Sequence, residues 1–451
     1  MKFSPFLLCC IFFVTANCSN VCTLFDKHNF INDQSNVNLI NEALEPWKSI
    51  LPVYNNITIP KYGELIEQFQ RGKANADVYL NFTQLVTKYG YPVEQHEVVT
   101  EDEYILTVFR IPKPCAPVVI LVHGLACSSD DWITGGLEVS LAYSLADAGY
   151  DVWLSNTRGN KHARKHRTLS PDCVEFWQFG YDEIGLYDLP ATIDYILKHT
   201  GQYKLSYIGH SQGTTAFYVM ASDKPEYNEK ISIMVSLSAV VFTGHVRSPF
   251  MQFISPFSDD VAVLANLVGV GEFNPRDELI NIVTSTFCGS PKIAEIICEN
   301  LIFLGYGFDY AQINITNLPV IYGHYPAGAS VRQIVQYGQS TISGNFAKYD
   351  HGPFENMIRY GTPKPPEYAL EKVSCPIAIF YSNNDWLNSA PDIFKLLNKL
   401  PNVIEFYHVP CASYQHFDFL YAKDGGILVN SEVLVLLQKY AENSRDNDDI
   451  C

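Results

Sequence analysis

A short apolar run that leads directly into a G-x-S-x-G turn is the feature that most constrains this chain. Residues 205–213 read Leu-Ser-Tyr-Ile-Gly-His-Ser-Gln-Gly, and the residues that follow are partly apolar and contain no proline. Gly209 and Gly213 allow the backbone to reverse where a Cβ would clash, with His210 and Ser211 between them. The pattern predicts a strand, a strained elbow and a helix, with Ser211 presented as a nucleophile.

Short β-branched runs separated by helical segments recur on both sides of this turn. The alternation predicts an α/β fold whose mostly parallel central sheet is flanked by helices on both faces. The predicted strands cover residues 118–123, 150–156, 205–209, 231–238, 376–382 and 403–409. The predicted helices cover residues 138–148, 187–199, 213–222 and 391–400.

The alternation lapses over residues 244–368, which predicts an insertion that overhangs the carboxyl ends of the strands as a cap or lid. Large apolar residues in this part of the chain include Phe250, Phe253, Phe257, Leu264, Phe273, Phe303, Tyr306 and Phe308. Any one of them could simply belong to the core of the insertion. Together, beside a nucleophile, they indicate an apolar substrate channel.

The N-terminus has the features of a secretory signal peptide over residues 1–19. Lys2 is followed by an apolar run from Phe6 to Val14, which is too short to span a bilayer. No later stretch is long and apolar enough for a transmembrane helix. Acceptor triplets for N-linked glycans begin at Asn56, Asn81 and Asn314. We therefore expect a soluble protein that is secreted or carried to the lysosome.

The remaining boundaries follow from these features. Residues 20–73 contain several prolines among mixed polar residues, which indicates an N-terminal extension rather than a second domain. This extension could be a propeptide. We expect the core to comprise residues 74–243 and 369–443, with the cap between them over residues 244–368 and an acidic tail over residues 444–451.

Cysteine usage suits an oxidising compartment, since the chain has 12 cysteines. Cys288 and Cys298 are the best-placed pair, because closing so short a loop would contribute about 3 kcal/mol in the chain-entropy description. The other pairings cannot be read from the sequence. If Cys9, Cys10 and Cys18 leave with the signal peptide, nine of the 12 remain, so at least one is free or pairs with another chain.

The charge balance and the motifs exclude several classes of function. The formal net charge is −17, which argues against a nucleic-acid partner. The one basic run, residues 161–167, is interpreted as a solvated loop. The chain has no H-E-x-x-H motif, no paired C-x-x-C, no Walker loop and no dinucleotide fingerprint. Neither a metal nor another cofactor is predicted.

A serine nucleophile needs a histidine base and a carboxylate that orients the base. Asp385 follows directly after the predicted strand 376–382, where the acid of this architecture is expected. Asp392 is its nearest rival, but it lies where the next helix should begin. His416 lies in the loop after the last strand and is the predicted base, whereas His408 lies inside that strand.

Attack by Ser211 places negative charge on the carbonyl oxygen, which two backbone N–H groups must stabilise. Gln212 follows the nucleophile and supplies one donor. The strand at residues 118–123 ends in His123-Gly124, and we assign the second donor to the N–H of Leu125, the next residue.

The chain resembles the animal acid lipase family, which includes gastric lipase and lysosomal acid lipase and has the α/β-hydrolase fold. Among the matching motifs are Leu121-Val-His-Gly-Leu125, Asn156-Thr-Arg-Gly-Asn160, Gly209-His-Ser-Gln-Gly-Thr-Thr215 and His324-Tyr-Pro-Ala-Gly-Ala-Ser-Val331. The resemblance extends from about residue 85 to residue 440. It implies hydrolysis of triacylglycerols or sterol esters, places the acid and base at Asp385 and His416, and implies a cap disulfide between Cys288 and Cys298.

The chain departs from the family pattern at the rim of the site. Gln415 precedes the base where the family usually has Asn, and Asp385 is followed by Trp-Leu-Asn-Ser rather than Leu-Leu-Ala-Asp. The N-terminal extension is also longer than in the vertebrate digestive members. The preferred substrate and the pH optimum therefore do not follow from the resemblance.

Three hypotheses remain at this point. The first is a serine-triad lipase that acts on neutral lipid at a lipid–water interface. The second keeps the chemistry but takes a small soluble ester, a thioester or a peptide as substrate. The third is a lipid-binding protein that has kept the fold without catalysis. A full set of catalytic positions favours an enzyme.

Overall fold

The computed structural model describes residues 75–273 and 305–442. Eight strands lie side by side in one sheet in the order β1-β2-β4-β3-β6-β7-β10-β11, and β5 pairs with β2. The strands from β4 to β11 run parallel, while β1, β2 and β5 form antiparallel pairs at one side. The strands are β1 (Glu94–Val99), β2 (Tyr104–Ile111), β3 (Val118–Val122), β4 (Asp151–Leu154), β5 (Lys165–His166), β6 (Leu205–His210), β7 (Ile231–Leu237), β8 (Glu272–Phe273), β9 (Ala329–Ser330), β10 (Ile377–Tyr381) and β11 (Val403–His408).

Helices cover the sheet and form most of the segment between β7 and β10. Numbered α1 to α13 in chain order, they span Phe82–Lys88, Leu141–Asp147, Tyr181–Glu183, Leu189–Thr200, Gln212–Asp223, Pro249–Ile254, Ser258–Val268, Leu318–His324, Val331–Ser343, Pro353–Tyr360, Ala390–Leu397, Asp418–Tyr421 and Ser431–Glu442. The predicted strands and helices are confirmed, with boundary differences of a few residues.

The central strands are buried on both faces, which explains why their sequences are largely apolar. All five residues of β3 are buried. Ile120 and Val122 join a core cluster on one face of the sheet, whereas Val119 and Leu121 join a cluster on the other face. The two clusters therefore hold helices to opposite sides, as the α/β prediction requires.

The register of the parallel strands brings their carboxyl ends to one edge. Gly209 pairs with Val122 of β3, and His210 pairs with Leu237 of β7. Phe380 of β10 pairs with the same Leu237. Loops that leave these four strands therefore start side by side, and ligands of open α/β sheets bind at this edge.

Helices α7 and α9 pack on one another beside this edge. Both belong to residues 244–368, the segment predicted as a cap, which is called the cap segment below. Ser258 of α7 lies against Gly338 of α9, where an added Cβ would come within 2.7 Å of the Ser258 Cβ. Tyr337 of α9 bonds to Thr215 of α5 over 2.9 Å between their hydroxyl oxygens. Helix α9 therefore links the segment to the helix that follows the G-x-S-x-G turn.

Several predictions fall outside the described residues. These are the signal peptide at 1–19, the extension at 20–73, the acidic tail at 444–451, the acceptor Asn56, the aromatic Phe303 and the pair Cys288 and Cys298. No helix within residues 75–273 and 305–442 is long and apolar enough to cross a membrane.

Candidate active site

Ser211 occupies a strained turn between β6 and α5. Its backbone angles are φ 52° and ψ −120°, a left-handed conformation that is costly for any residue except glycine. A Cβ at Gly213 would lie 2.2 Å from the carbonyl oxygen of Val122, and a Cβ at Gly209 would lie 2.8 Å from the carbonyl carbon of Gly213. Neither position can carry a side chain, which is the reason the turn requires both glycines.

Asp385 and His416 form a buried hydrogen-bonded pair. His416 Nδ1 lies 2.9 Å from Asp385 Oδ2, and the two residues are at most 2% exposed. The backbone N–H groups of Leu387 and Asn388 each donate to Asp385 Oδ1 over 2.9 Å. These contacts fix the carboxylate and present one ring nitrogen of His416 to it.

Electrostatics keep this carboxylate ionised. Burial by itself would raise the pKa of Asp385, but the charge of His416 and its hydrogen bond more than offset that effect. Hydrogen bonds from the Ser238 hydroxyl and the Asn388 N–H lower the same pKa further. The result is a pKa below the usual value for aspartate, so Asp385 stays ionised, accepts a hydrogen bond from Nδ1–H of His416 and can stabilise a positive imidazolium.

The structure places the rival residues elsewhere. Asp392 lies in the first turn of α11 and accepts hydrogen bonds from the backbone N–H of His245 over 2.8 Å and from the Ser389 hydroxyl over 3.0 Å. His408 is an exposed residue at the end of β11. Neither is hydrogen-bonded to Asp385 or His416 within the described part of the chain.

His210 connects the serine elbow to the histidine loop. Its Nε2 lies 3.0 Å from the backbone oxygen of His416, and the two imidazole rings are 4.9 Å apart. Burial lowers the pKa of His210 to about 3, so this ring is neutral and donates to that oxygen. No hydrogen bond joins Ser211 to His416 among the described residues, and such bonds often tighten only when substrate is bound.

The residues predicted to supply the oxyanion donors, Leu125 and Gln212, belong to segments next to Ser211. A Cβ at Gly124 would lie 3.1 Å from the Ser211 Cβ, so the loop that carries Leu125 is in contact with the nucleophile. Gln212 begins helix α5, where backbone N–H groups have no intrahelical acceptor. Within the described residues, neither the Leu125 N–H nor the Gln212 N–H donates a hydrogen bond. Both are therefore available to an oxygen of the substrate.

His123 holds the Leu125 loop, a role that the sequence analysis did not assign. Its Nε2 accepts from the Thr157 N–H over 3.1 Å, which leaves the proton on Nδ1, 2.8 Å from the oxygen of Gly124. Burial lowers the pKa of His123 to about 4, in agreement with a neutral ring. The contact between the His123 ring and the Asn156-Thr-Arg-Gly-Asn160 motif joins two separate parts of the chain. It could therefore not be predicted from the sequence.

An aromatic side chain covers the candidate base. The ring of Tyr306 stacks on His416 with 5.5 Å between centroids and 13° between planes, and it also stacks on Phe417 at 5.1 Å. Its hydroxyl lies 2.6 Å from that of Tyr325. The backbone N–H of Trp386 donates to the backbone oxygen of Tyr306 over 3.1 Å, so this aromatic cover is tied to the loop of Asp385.

The basic run at residues 161–167 was predicted to be a solvated loop, and this prediction is wrong for its first two residues. Lys161 and His162 both bind the carboxylate of Asp130, which is 1% exposed. His324 Nδ1 lies 2.7 Å from the same carboxylate. The charge of Lys161 and the contacts of His162 and His324 hold the pKa of Asp130 well below its usual value despite burial. A buried partner about 30 residues away in sequence explains the error.

Two other groups of potentially reactive residues lie in the described part of the chain. One is a possible metal-binding cluster and the other is the thiol of Cys127. Glu94, His96 and His199 are grouped closely enough to share a metal ion, but they lie on β1 and α4. Arg110 donates to Glu94 over 2.9 Å and lies 3.4 Å from His199 Nε2, so positive charge already occupies that place. Burial raises the pKa of the Cys127 thiol well above its usual value, which makes it a poor nucleophile.

The chain is similar to known lipases and to the alpha/beta hydrolase fold over most of its length. The profile of a partial alpha/beta-hydrolase lipase region matches residues 82–136, and that of the alpha/beta hydrolase fold matches residues 117–281. Lipase 3 of Drosophila melanogaster is 40% identical over 358 residues, which cover 78% of this chain and 91% of that protein. Human gastric triacylglycerol lipase is 38% identical over 374 residues, covering 80% of this chain and 92% of the human one. Lipase member K of Homo sapiens is 37% identical, covering 82% and 94% respectively.

Proposed function

The chain belongs to the animal acid lipase family, and on this basis we propose that it hydrolyses carboxylic ester bonds of neutral lipids through an acyl-enzyme on Ser211. The substrates are triacylglycerols, sterol esters or both. One observation carries the assignment of the site: the buried Asp385–His416 pair is joined through His210 to the strained turn of Ser211. This arrangement provides a nucleophile, a base and an orienting acid.

Each step of the proposed reaction uses a named group. Ser211 Oγ attacks the ester carbonyl while His416 Nε2 takes its proton, and Asp385 holds the proton on Nδ1. The N–H groups of Leu125 and Gln212 stabilise the oxyanion. His416 then protonates the leaving alcohol, and a water molecule activated by the same ring hydrolyses the acyl-enzyme. The mechanism requires no cofactor.

A lipid substrate is supported by apolar side chains that the cap segment leaves exposed. Val263, Leu264 and Leu267 lie on one face of α7 and are 60%, 49% and 79% exposed. Phe250, Phe253 and Phe257 nearby are each more than a third exposed. A cluster of this kind commonly marks an interaction surface. We propose that it contacts the lipid–water interface.

The secretory route, to the outside or to the lysosome, is also part of the proposal. Asn81 and Asn314 are both exposed. In each triplet the threonine hydroxyl donates to the asparagine Oδ1, over 2.9 Å at Asn81 and 2.7 Å at Asn314, which leaves the amide nitrogen accessible for a glycan. Cys115 is disulfide-bonded, as expected in an oxidising compartment.

The experiment compares Ser211→Ala with wild type on emulsified triacylglycerol, cholesteryl ester and a soluble short-chain ester. Loss of the nucleophile should lower kcat by about 10⁴-fold or more on every substrate. Ser155→Ala serves as control, because Ser155 is buried at the end of β4 and its hydroxyl has no partner among the described residues. Retention of more than about a hundredth of the activity would contradict the assignment of Ser211.

A second variant in the same assay separates lipid from small esters. Replacing Val263, Leu264 and Leu267 together by Ser should lower the turnover of emulsified lipid at least several-fold. The turnover of the soluble ester should stay unchanged. Ile427→Ser with Val435→Ser is the matched control, since these residues are 77% and 63% exposed at the C-terminal end of the core. Equal losses on both kinds of substrate would favour an enzyme of small esters.

A further inference from the structure

Ser238 lies at the junction of the candidate acid and base, although neither the sequence analysis nor the family resemblance assigns it a role. It follows β7 directly, at the same edge of the sheet as Ser211, and is fully buried. Its Oγ is 2.6 Å from His416 Nδ1 and is also hydrogen-bonded to Asp385 Oδ2. One hydroxyl therefore contacts both members of the pair.

The hydrogen-bond directions at this hydroxyl are determined by what each partner can offer. An ionised carboxylate only accepts, so the single Ser238 O–H proton is donated to Asp385 Oδ2. The oxygen of Ser238 then has lone pairs for the proton on His416 Nδ1. That proton is shared between Asp385 Oδ2, at 2.9 Å, and Ser238 Oγ, at 2.6 Å. Only the tautomer that leaves Nε2 unprotonated satisfies all three groups.

The backbone of Ser238 is held in place at some cost. Its φ is 52°, in the left-handed region that non-glycine residues rarely adopt. Its N–H donates to the oxygen of Phe380 over 3.0 Å, at the end of β10. Strained backbone of this kind is found preferentially where a side chain must be aimed at a functional site.

We infer that Ser238 is a positioning residue of the catalytic machinery, which fixes the His416 tautomer and ring through its contacts with Nδ1 and Asp385 Oδ2. This inference rests on the proposed triad and adds a fourth member to it. The hydroxyl also shares the negative charge of Asp385.

Other titratable and charged groups face the pair from the surrounding elements. They are His210 from β6, Tyr306 from the cap segment and Arg247, which donates to the backbone oxygens of Asn383 and Asp385 over 2.6 and 2.9 Å. Burial raises the pKa of Tyr306 far above neutrality, and it lowers that of His210 to about 3. Neither group changes charge between pH 4 and 8, so a shift of the acidic limb in that range reports on the pair itself.

The test uses Ser238→Ala and Ser238→Gly in the full chain. Both lack the hydroxyl, but glycine adopts a φ of 52° without strain, so it should keep the fold if alanine does not. We expect both to lower kcat about tenfold, to leave KM within twofold, and to shift the acidic limb of the pH profile. The low-field proton NMR signal of His416 Nδ1–H should shift in both.

Ser382→Ala is the control, because Ser382 is buried just before Asp385 and its hydroxyl has no partner within the described residues. It should leave kcat, the pH profile and the proton signal unchanged. Unchanged kcat and pH profile in Ser238→Gly would overturn the role of Ser238. If Ser211→Ala is inactive in the same assay, the proposed triad still stands. An active Ser211→Ala would instead refute the triad itself.

Discussion

Burial keeps two histidines beside the candidate site, His123 and His210, neutral. His123 and His210 face backbone groups, and burial lowers their pKa values to about 4 and about 3. These neutral rings therefore hold the loops of Leu125 and His416 without adding positive charge beside His416.

The lowered pKa of His123 makes a prediction about stability in acid. The unfolded chain has a histidine pKa of about 6.5, so between pH 6.5 and about 4 the unfolded state binds more protons than the native state. The free energy of unfolding should then decrease as the pH falls through that window, by up to about 1.4 kcal/mol per pH unit from this residue. His123→Asn should show a shallower decrease than wild type, as measured by urea unfolding at several pH values.

His408→Asn provides the matched control, because His408 is exposed at the end of β11. Its unfolding free energy should vary with pH in parallel with that of wild type. If His123→Asn has the same pH dependence as wild type, His123 is not held neutral in the native state, and its assigned role in the Leu125 loop is wrong.

The cap segment contacts the loop of Asp385, and we expect this contact to matter for catalysis. Residues 305–309 approach the Asp385 loop so closely that a Cβ at Gly307 would lie 2.3 Å from the oxygen of Asn384. The Asn384 side chain donates to the oxygen of Phe308 over 2.8 Å. This docking brings the Tyr306 ring onto His416, where the ring limits movement of the imidazole and excludes water.

Removal of that ring tests the contact. Tyr306→Ala should lower kcat several-fold on the soluble ester as well as on lipid, because the base loses its stacking partner. Tyr306→Phe keeps the ring and should stay within about twofold of wild type. Tyr203→Ala, at a position that is 87% exposed, is the control. Loss of lipid activity alone in Tyr306→Ala would show instead that this ring only lines the substrate path.

The parallel strands of the sheet were predictable from sequence, whereas β1, β2 and β5 at its antiparallel side were not. Buried parallel strand β3 consists only of Val, Ile and Leu, and burial on both faces gives that pattern directly. Strand β1 reads Glu-Gln-His-Glu-Val-Val and is largely exposed, so its composition carries little signal. Its place is set by the antiparallel pairing with β2.

The residues of the candidate site differ in the same way. Some could be predicted from the neighbouring sequence, and the roles of others depend on residues far away in the chain. Ser211, Asp385 and His416 could be proposed because each follows a recognisable strand in the expected order. His123, Ser238 and Tyr306 could not, since their roles depend on partners more than 30 residues away in the chain. The interpretation of Lys161 and His162 as solvated failed for the same reason, because Asp130 is their partner.

In the molecule as a whole, we expect the carboxyl-end edge of the sheet and the cap segment to have separate functions. The ends of β3, β6, β7 and β10 hold the groups proposed for ester chemistry at fixed positions. The cap segment covers the base and exposes an apolar face to its surroundings. This division predicts that changes at the sheet edge affect every ester equally, while changes on the exposed face of α7 affect only substrates in a lipid phase.

Labelling of the purified full chain with a long-chain alkyl phosphonate ester tests the central claim most directly. The reagent forms a stable bond with an activated serine and imitates the tetrahedral intermediate. Mass spectrometry of the digested protein should find one phosphonyl group per chain, on Ser211, with activity lost in proportion. Ser211→Ala should remain unlabelled. Labelling at another residue, or a folded wild-type protein that takes up no label, would contradict the account.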